Sequence, residues 1–288
     1  MSLRSVVLLG GPDSGKTNYV GRLWPALDAK GGQLVAAEQP QEIGFVLDTA
    51  EHLFQGHFAP RTEHAENRRD FEVVVAPRGG GQSTSIVIPD ISGELWRTAV
   101  IESEISEDWM TELRRADGAL LFVRVGSDQD VRPLDWVTSR KLLARVGQDE
   151  DRSKLPTQVM LCELIRYLEL TMTQRPNGGR PRLSVVIAAW DRVDSETFEK
   201  GPEAYLETEY PLLAGRLRDT ARLEVRAFGL SVVGGDLKDD PNFRDSFLDK
   251  GLDQHGWVSI RDSSTSKWRK DPDLTLPVAW VVGIESAS

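Results

Sequence analysis

The sequence predicts an α/β fold in which helices cover both faces of a mostly parallel sheet. Short runs rich in β-branched residues alternate along the chain with segments of helical periodicity. Several of these runs are apolar on both faces, which is typical of strands in a sheet that is covered on each side. Because alternating strands and helices imply right-handed crossovers, we expect three layers around a mainly parallel sheet.

The strands are predicted from six such runs. A glycine-rich segment, Arg78–Ser83, joins the second and third runs, so we expect one antiparallel hairpin at an edge of the sheet. The runs are Val6–Leu9, Phe71–Val75, Ser85–Ile88, Ala119–Val125, Leu183–Ala189 and Leu223–Phe228.

The helices are predicted from apolar side chains that recur at intervals of three and four residues. Pro25 lies inside the first of these segments, and we expect it to bend or end that helix. The three stripes are Val20, Leu23, Trp24 and Leu27; Ile105, Trp109 and Leu113; and Leu161, Leu164, Ile165, Leu168 and Met172.

The domain organisation predicted from the 288 residues is a single domain over 1–288 with two additions. Residues 126–157 are polar and weakly patterned, which predicts a surface insertion. A C-terminal extension covers residues 234–288, of which 234–273 resemble the first insertion in composition. The apolar segment Leu274–Val282 within it is expected to return the chain to the core.

Composition excludes several classes of protein. Thirty-five basic and 45 acidic residues give a formal charge of −10, which argues against a surface that collects nucleic acid or anionic lipid. The single cysteine, Cys162, cannot form an intramolecular disulfide. No apolar run is long enough to span a membrane, and the N-terminus lacks the features of a signal peptide. We therefore expect a cytoplasmic protein.

The strongest motif is Gly10–Thr17, which follows the pattern of glycine, four residues, glycine, lysine and serine or threonine. It lies between an apolar strand and an amphipathic helix, where backbone N–H groups converge on phosphate oxygens. Lys16 would reach the terminal phosphates, and the Thr17 hydroxyl would ligate Mg²⁺. The motif predicts a nucleoside triphosphate site made by Gly10, Asp13, Ser14, Gly15, Lys16, Thr17 and Asn18.

A second motif closes the third predicted strand. Asp90 would hold the Mg²⁺ shell, and the backbone N–H of Gly93 would be available to the γ-phosphate. Glu94 follows, where a carboxylate can orient water but adds negative charge beside the phosphate. Placed after a phosphate loop, this spacing is typical of nucleotide switches.

With these motifs the chain resembles TRAFAC-class GTPases, and specifically the bacterial double-GTPase-like proteins of conflict (defence) gene neighbourhoods. The resemblance extends from Ser5 to about Gly283. It is carried by the two motifs above together with Gly56–Thr62, Ala188–Asp191, Ser231 and Leu274–Trp280.

The resemblance implies further site residues. Thr62 matches the switch threonine that closes over Mg²⁺ and the γ-phosphate, with Thr49 as an alternative, and Arg61 is a candidate arginine finger. Asp191 matches the aspartate that reads guanine, with Asp194 as an alternative. Ser231 matches the last base-contacting loop, with a solvated loop serine as the alternative.

One departure from the family pattern affects base recognition. Ala188 and Ala189 stand where the family has Asn-Lys, so the base-stacking lysine is missing and Trp190 is a candidate replacement. Another tryptophan, Trp96 beside the second motif, is expected in the core.

Three hypotheses follow for function. The first is a Mg²⁺-dependent GTPase switch with slow turnover that binds GTP and GDP. The second is a nucleotide-gated scaffold with little or no hydrolysis, which Glu94 and the missing lysine favour. The third is an ATP-using enzyme. The resemblance implies protein partners, either a companion GTPase or an effector.

Overall fold

The computed structural model describes residues 3–40, 43–59, 69–90, 93–132, 155–175 and 177–284. Its centre is a nine-stranded sheet with the order β2-β3-β4-β1-β5-β6-β7-β8-β9. The strands are β1 (Leu3–Leu9), β2 (Leu34–Ala36), β3 (Arg69–Pro77), β4 (Thr84–Asp90), β5 (Ala116–Arg124), β6 (Arg182–Ala188), β7 (Glu224–Ser231), β8 (Trp257–Arg261) and β9 (Trp268–Asp271).

The five central strands, β4-β1-β5-β6-β7, are mutually parallel, which confirms the predicted α/β class. At one edge β4, β3 and β2 pair antiparallel, and this edge contains the predicted hairpin. At the other edge β7, β8 and β9 are also antiparallel, an arrangement that the sequence patterns did not indicate.

The helices in the described part of the chain pack on both faces of the sheet. The first predicted helix does not end at Pro25 but continues to Asp28. The helices are α1 (Lys16–Asp28), α2 (Gly44–Phe54), α3 (Gly93–Glu102), α4 (Glu107–Arg115), α5 (Thr157–Thr171), α6 (Ser195–Lys200), α7 (Pro202–Glu209), α8 (Pro211–Asp219), α9 (Pro241–Lys250) and α10 (Leu276–Val282).

The core consists of two apolar clusters separated by the sheet. Alternate residues of β1 enter different clusters: Val6 and Leu8 pack with α1, α2 and α10, whereas Val7 and Leu9 pack with α3, α4, α5, α7 and α8. The strands are therefore apolar on both faces because each face is covered by helices. Trp96 is 2% exposed and donates from Nε1 to the Leu8 carbonyl at 3.1 Å, so its predicted core position is confirmed.

The C-terminal extension contributes more to the core than its polar composition indicates. Phe247 and Leu252 are buried in a third cluster, and Val258 of β8 packs in the core with α1. Arg22 of α1 donates from Nη2 to the carbonyl oxygens of Leu252 and His255, both at 3.0 Å. Residues 234–273 are therefore only partly a surface segment. The return of 274–282 to the core is confirmed, because α10 is buried from Pro277 to Val282.

Candidate nucleotide-binding site

The Gly10–Thr17 loop connects the end of β1 to the first residue of α1, as the motif predicts. Three of its residues have positive φ angles: Gly10 at 139°, Asp13 at 58° and Gly15 at 97°. A Cβ on Gly10 would lie 2.7 Å from the Phe122 carbonyl oxygen, so this position requires glycine. The sharp turn places the loop at the N-terminus of α1, where anions are favoured.

Lys16 crosses the inside of this loop. Its Nζ donates to the carbonyl oxygens of Gly10 at 2.8 Å and Gly11 at 3.0 Å, and to Ser14 Oγ at 3.2 Å. The side chain is only 7% exposed, so the ammonium is fixed at the centre of the loop. A charge held there is suited to contact phosphate oxygens.

The second motif lies directly against the phosphate loop. A Cβ on Gly93 would be 2.3 Å from both the Gly11 carbonyl carbon and the Pro12 nitrogen, which leaves room only for glycine. Glu94 follows in the first turn of α3 and is half-buried. Asp90 ends β4, but its side chain lies outside the described structure. The backbone thus brings the Gly93 position to the phosphate end of the site.

The predicted switch residues Arg61 and Thr62 lie outside the described residues. The chain that precedes them is tied to α1, because the backbone N–H of Ala59 donates to Asn18 Oδ1 at 2.9 Å. The alternative threonine, Thr49, donates from Oγ1 to the Phe45 carbonyl at 2.8 Å and packs against Gly21. We therefore assign Thr49 to the contact between α1 and α2 rather than to a nucleotide.

A cavity of about 500 Å³ extends from the phosphate loop to the carboxyl ends of β6 and β7. Asp13, Gly15 and Asn18 border it on the loop side, whereas Asp191 and Ser231 border it on the strand side. The structure thus brings three of the residues predicted for the phosphates and two predicted for the base to one cavity. Ligands of open α/β sheets bind at this edge, outside the carboxyl ends of parallel strands.

Asp191 lies in a short 3-10 turn, Trp190–Arg192, that follows β6 directly. The turn begins at Ala189, whose φ of 56° is in the left-handed region. Trp190 points away from the cavity: it is fully buried, meets the ring of Tyr205 at 5.3 Å and packs on Gly229. The hypothesis that Trp190 stacks on the base is therefore wrong, because its ring belongs to the core.

The alternative base-reading carboxylate, Asp194, has another role. It is the N-cap of α6 and accepts a hydrogen bond from the backbone N–H of Thr197 at 2.7 Å. This hydrogen bond is the main reason why the pKa of Asp194 is lowered. The helix cap accounts for Asp194, so Asp191 is the better placed candidate.

Ser231 ends β7 and is fully buried, so the alternative of a solvated loop serine is wrong. Its Oγ accepts a hydrogen bond from the backbone N–H of Gly234 at 2.9 Å. The serine side chain thereby shapes the loop that forms the far wall of the cavity, which includes Val232 and Val233.

The charged residues of the cavity that sequence reasoning missed include Arg124, Asp128, Asp236 and Lys238. They lie in or next to segments interpreted as surface loops. The available signal was their position at or after the carboxyl ends of β5 and β7, at the edge where ligands bind. Burial acts to raise the pKa of Asp236, but hydrogen bonds from the backbone N–H groups of Asp239 and Lys238 and the charges of Arg192 and Arg124 lower it overall.

Other polar candidates give no sign of separate chemistry. Burial raises the pKa of the Cys162 thiol, which disfavours the reactive thiolate. Within the described ranges, no group of three or more His, Cys, Asp or Glu residues is arranged to hold a metal ion. Among the same residues, no helix combines the length and hydrophobicity needed to cross a bilayer.

Comparison with known proteins agrees with this geometry. No curated protein sequence matches the chain. The family model of Double-GTPase 1 matches residues 7–281, a range that includes the phosphate loop, the Gly93 motif, Asp191 and Ser231. The match covers almost the whole chain, and the protein belongs to the Double-GTPase 1 family.

Proposed function

We propose that this protein is a Mg²⁺-dependent switch that binds GTP and GDP and hydrolyses GTP slowly. The observation that carries the proposal is the continuous cavity between the Lys16 loop and Asp191. Membership of a GTPase family supports guanine nucleotides as the ligands. In this proposal the loop end of the cavity holds the phosphates and the strand end holds the base.

Base selection is assigned to Asp191. A carboxylate accepts hydrogen bonds from the ring N–H and the exocyclic amine of guanine, and adenine cannot supply the same pair of donors. The cavity also contains the carboxylates of Asp128, Asp236 and Asp239 away from the phosphate loop. Acceptors therefore outnumber cations at the base end, which suits a neutral base that presents N–H groups.

Hydrolysis is expected to be slow because of Glu94. The close contact of Gly93 with Gly11 and Pro12 supports a position for Glu94 near the γ-phosphate. A carboxylate there can orient the attacking water, but its charge repels the phosphoryl group. The Thr17 hydroxyl in the first turn of α1 fits a site in which Mg²⁺ takes few protein ligands. Asp90 and Thr62 are proposed to complete the surroundings of the Mg²⁺ ion. Arg61 is proposed to stabilise the transition state.

A second candidate function is a nucleotide-gated scaffold with little or no turnover, and Glu94 is the observation that favours it. Either function fits a cytoplasmic component of a bacterial conflict system that signals to a companion GTPase or an effector. Phosphate release under single-turnover conditions separates the two. Release above the protein-free rate supports the switch, whereas bound GTP that stays intact supports the scaffold.

The base assignment is tested by titration with fluorescent GTP, ATP and xanthosine triphosphate in the presence of Mg²⁺. We expect the wild type to prefer GTP over ATP by at least about tenfold. Asp191→Asn presents an amide donor in place of an acceptor, so it should weaken GTP by roughly 10- to 100-fold and improve xanthosine triphosphate. Asp194→Asn is the matched control and should leave the preference unchanged. Equal binding of GTP and ATP by the wild type would show that the cavity does not read guanine.

A further inference from the structure

Ala188 and Ala189, which stand where the resemblance to TRAFAC-class GTPases implies Asn-Lys, have no side chain beyond Cβ at the base end of the cavity. Ala188 is 7% exposed and its Cβ lies 3.1 Å from where a Cβ on Gly15 would be. Ala189 continues into the Trp190–Arg192 turn. Ala188 and Ala189 therefore lie close to the phosphate loop, but neither has a cationic side chain that could contact the base.

A cation does reach this place from the neighbouring strand. Arg124 is the last residue of β5, and its Cα is the register partner of Ala188. Its Nη1 donates to Asp13 Oδ1 at 2.6 Å and to the Asp13 carbonyl oxygen at 3.2 Å. The guanidinium therefore contacts the phosphate loop from the strand next to Ala188.

Asp13 is built to receive this contact. Its φ of 58° is in the left-handed region, where glycine is the usual choice and a side chain costs conformational energy. The aspartate side chain is instead used for the ion pair with Arg124, and both side chains are about a quarter exposed, at 27% and 26%. The ion pair is therefore accessible from the cavity and links β5 to the phosphate loop.

Two other cations border the same cavity, but they differ from Arg124 in how they are held. Arg192 and Lys238 are both exposed. Arg124 is the one of the three for which the described structure shows an ion pair to the phosphate loop. A planar guanidinium that is held in place can stack on an aromatic base with little loss of side-chain entropy.

We propose that Arg124 replaces the missing lysine: it holds Asp13 of the phosphate loop and covers one face of the purine base with its guanidinium plane. This inference rests on the proposed function, since it assumes a nucleotide in the cavity. Arg124 is accordingly a base-binding residue, and it positions the loop through Asp13.

The test compares GDP with inorganic tripolyphosphate, which has no base, as ligands of the wild type and of Arg124→Ala. If Arg124 contacts the base, the substitution should weaken GDP by about tenfold and tripolyphosphate by less than about threefold. Arg124→Lys keeps the positive charge but loses the planar guanidinium. Its affinity for GDP should therefore lie between those of the wild type and Arg124→Ala. Arg218→Ala, which removes the exposed ion pair with Glu207, is the matched control and should change neither ligand.

A rescue variant makes the test independent of folding damage. Ala189→Lys supplies the lysine that the TRAFAC resemblance implies at this position, and in the Arg124→Ala background it should recover most of the lost GDP affinity. Unchanged GDP binding by Arg124→Ala would overturn the inference, and so would an equal loss for both ligands without rescue. A wild type that binds ADP as tightly as GDP would instead contradict the proposed function, so the two failures are distinguishable.

Discussion

The phosphate end and the base end of the cavity are built in different ways. At the phosphate end, backbone groups and glycines from two consecutive motifs approach within contact distance, as Gly93 does with Gly11 and Pro12. At the base end, side chains at or just after the carboxyl ends of three strands face a wide cavity, and they include Arg124, Asp191 and Asp236. One end is constrained by backbone geometry, whereas the other is assembled from side chains.

This difference predicts that the two ends tolerate substitution to different degrees. A backbone cradle tolerates few substitutions, because any Cβ at Gly10 or Gly93 would collide with main-chain atoms. A side-chain contact can be supplied from another position in space, as when Arg124 reaches Asp13 beside Ala188. The base end can therefore change its residues while the phosphate end keeps its motif.

The largest effect is expected at the phosphate end, from Lys16→Ala. The ammonium lies inside the loop with two backbone carbonyl contacts, so its loss removes the principal positive charge facing the phosphates. Affinity for GTP and for tripolyphosphate should each fall by about 100-fold, or about 3 kcal/mol. Isothermal titration measures both ligands, with the exposed Lys250→Ala as control. Full affinity in Lys16→Ala would show that the triphosphate binds elsewhere.

The phosphate end was predictable from sequence because it is a contiguous motif. Gly10–Thr17 specifies its own strand, turn and helix, and the structure places β1 and α1 around it as expected. Arg124 could not be found in this way, because its importance depends on the register of β5 with β6 and on a contact 111 residues away along the chain.

The fold was predictable to a similar extent. Short runs of apolar and β-branched residues predicted strands that are buried on both faces, and these strands form the central sheet. The β8–β9 pair was missed because its residues are mainly polar: Lys270 and Arg269 of β9 are exposed on an edge strand. An edge strand that is half solvated lacks the continuous apolar run on which the other predictions depended.

An intermediate effect is expected from Gly93→Ala, which tests the close contact between the two motifs. The new Cβ would lie 2.3 Å from backbone atoms of Gly11 and Pro12, so the loop or α3 must move. We expect at least about a tenfold loss of GTP affinity and a stability loss of about 1–3 kcal/mol. Gly215→Ala in α8 is the matched control, because a Cβ there meets nothing within 4 Å and should stabilise the helix by about 0.5–1 kcal/mol. Equal effects of the two variants would mean that the contact at Gly93 is not needed.

The smallest effect is expected at the base end, from Asp236→Asn. The carboxylate accepts hydrogen bonds from the backbone N–H groups of Lys238 at 2.8 Å and Asp239 at 3.0 Å, which hold the loop after β7. Because the folded-state pKa of Asp236 lies below its ordinary value of 3.8, the stabilisation is present above that pH and is lost as the pH falls through the folded-state pKa. The Asp236 side chain is largely solvated, so the free energy of unfolding of the wild type should exceed that of Asp236→Asn by less than about 1 kcal/mol at pH 7. This difference should shrink towards zero as the pH falls below the folded-state pKa of Asp236. Urea unfolding of both proteins across this pH range, with the exposed Asp249→Asn as control, measures the difference. If the difference in unfolding free energy instead grew as the pH fell, the charge-assisted hydrogen bonds of Asp236 would not be what stabilises this loop.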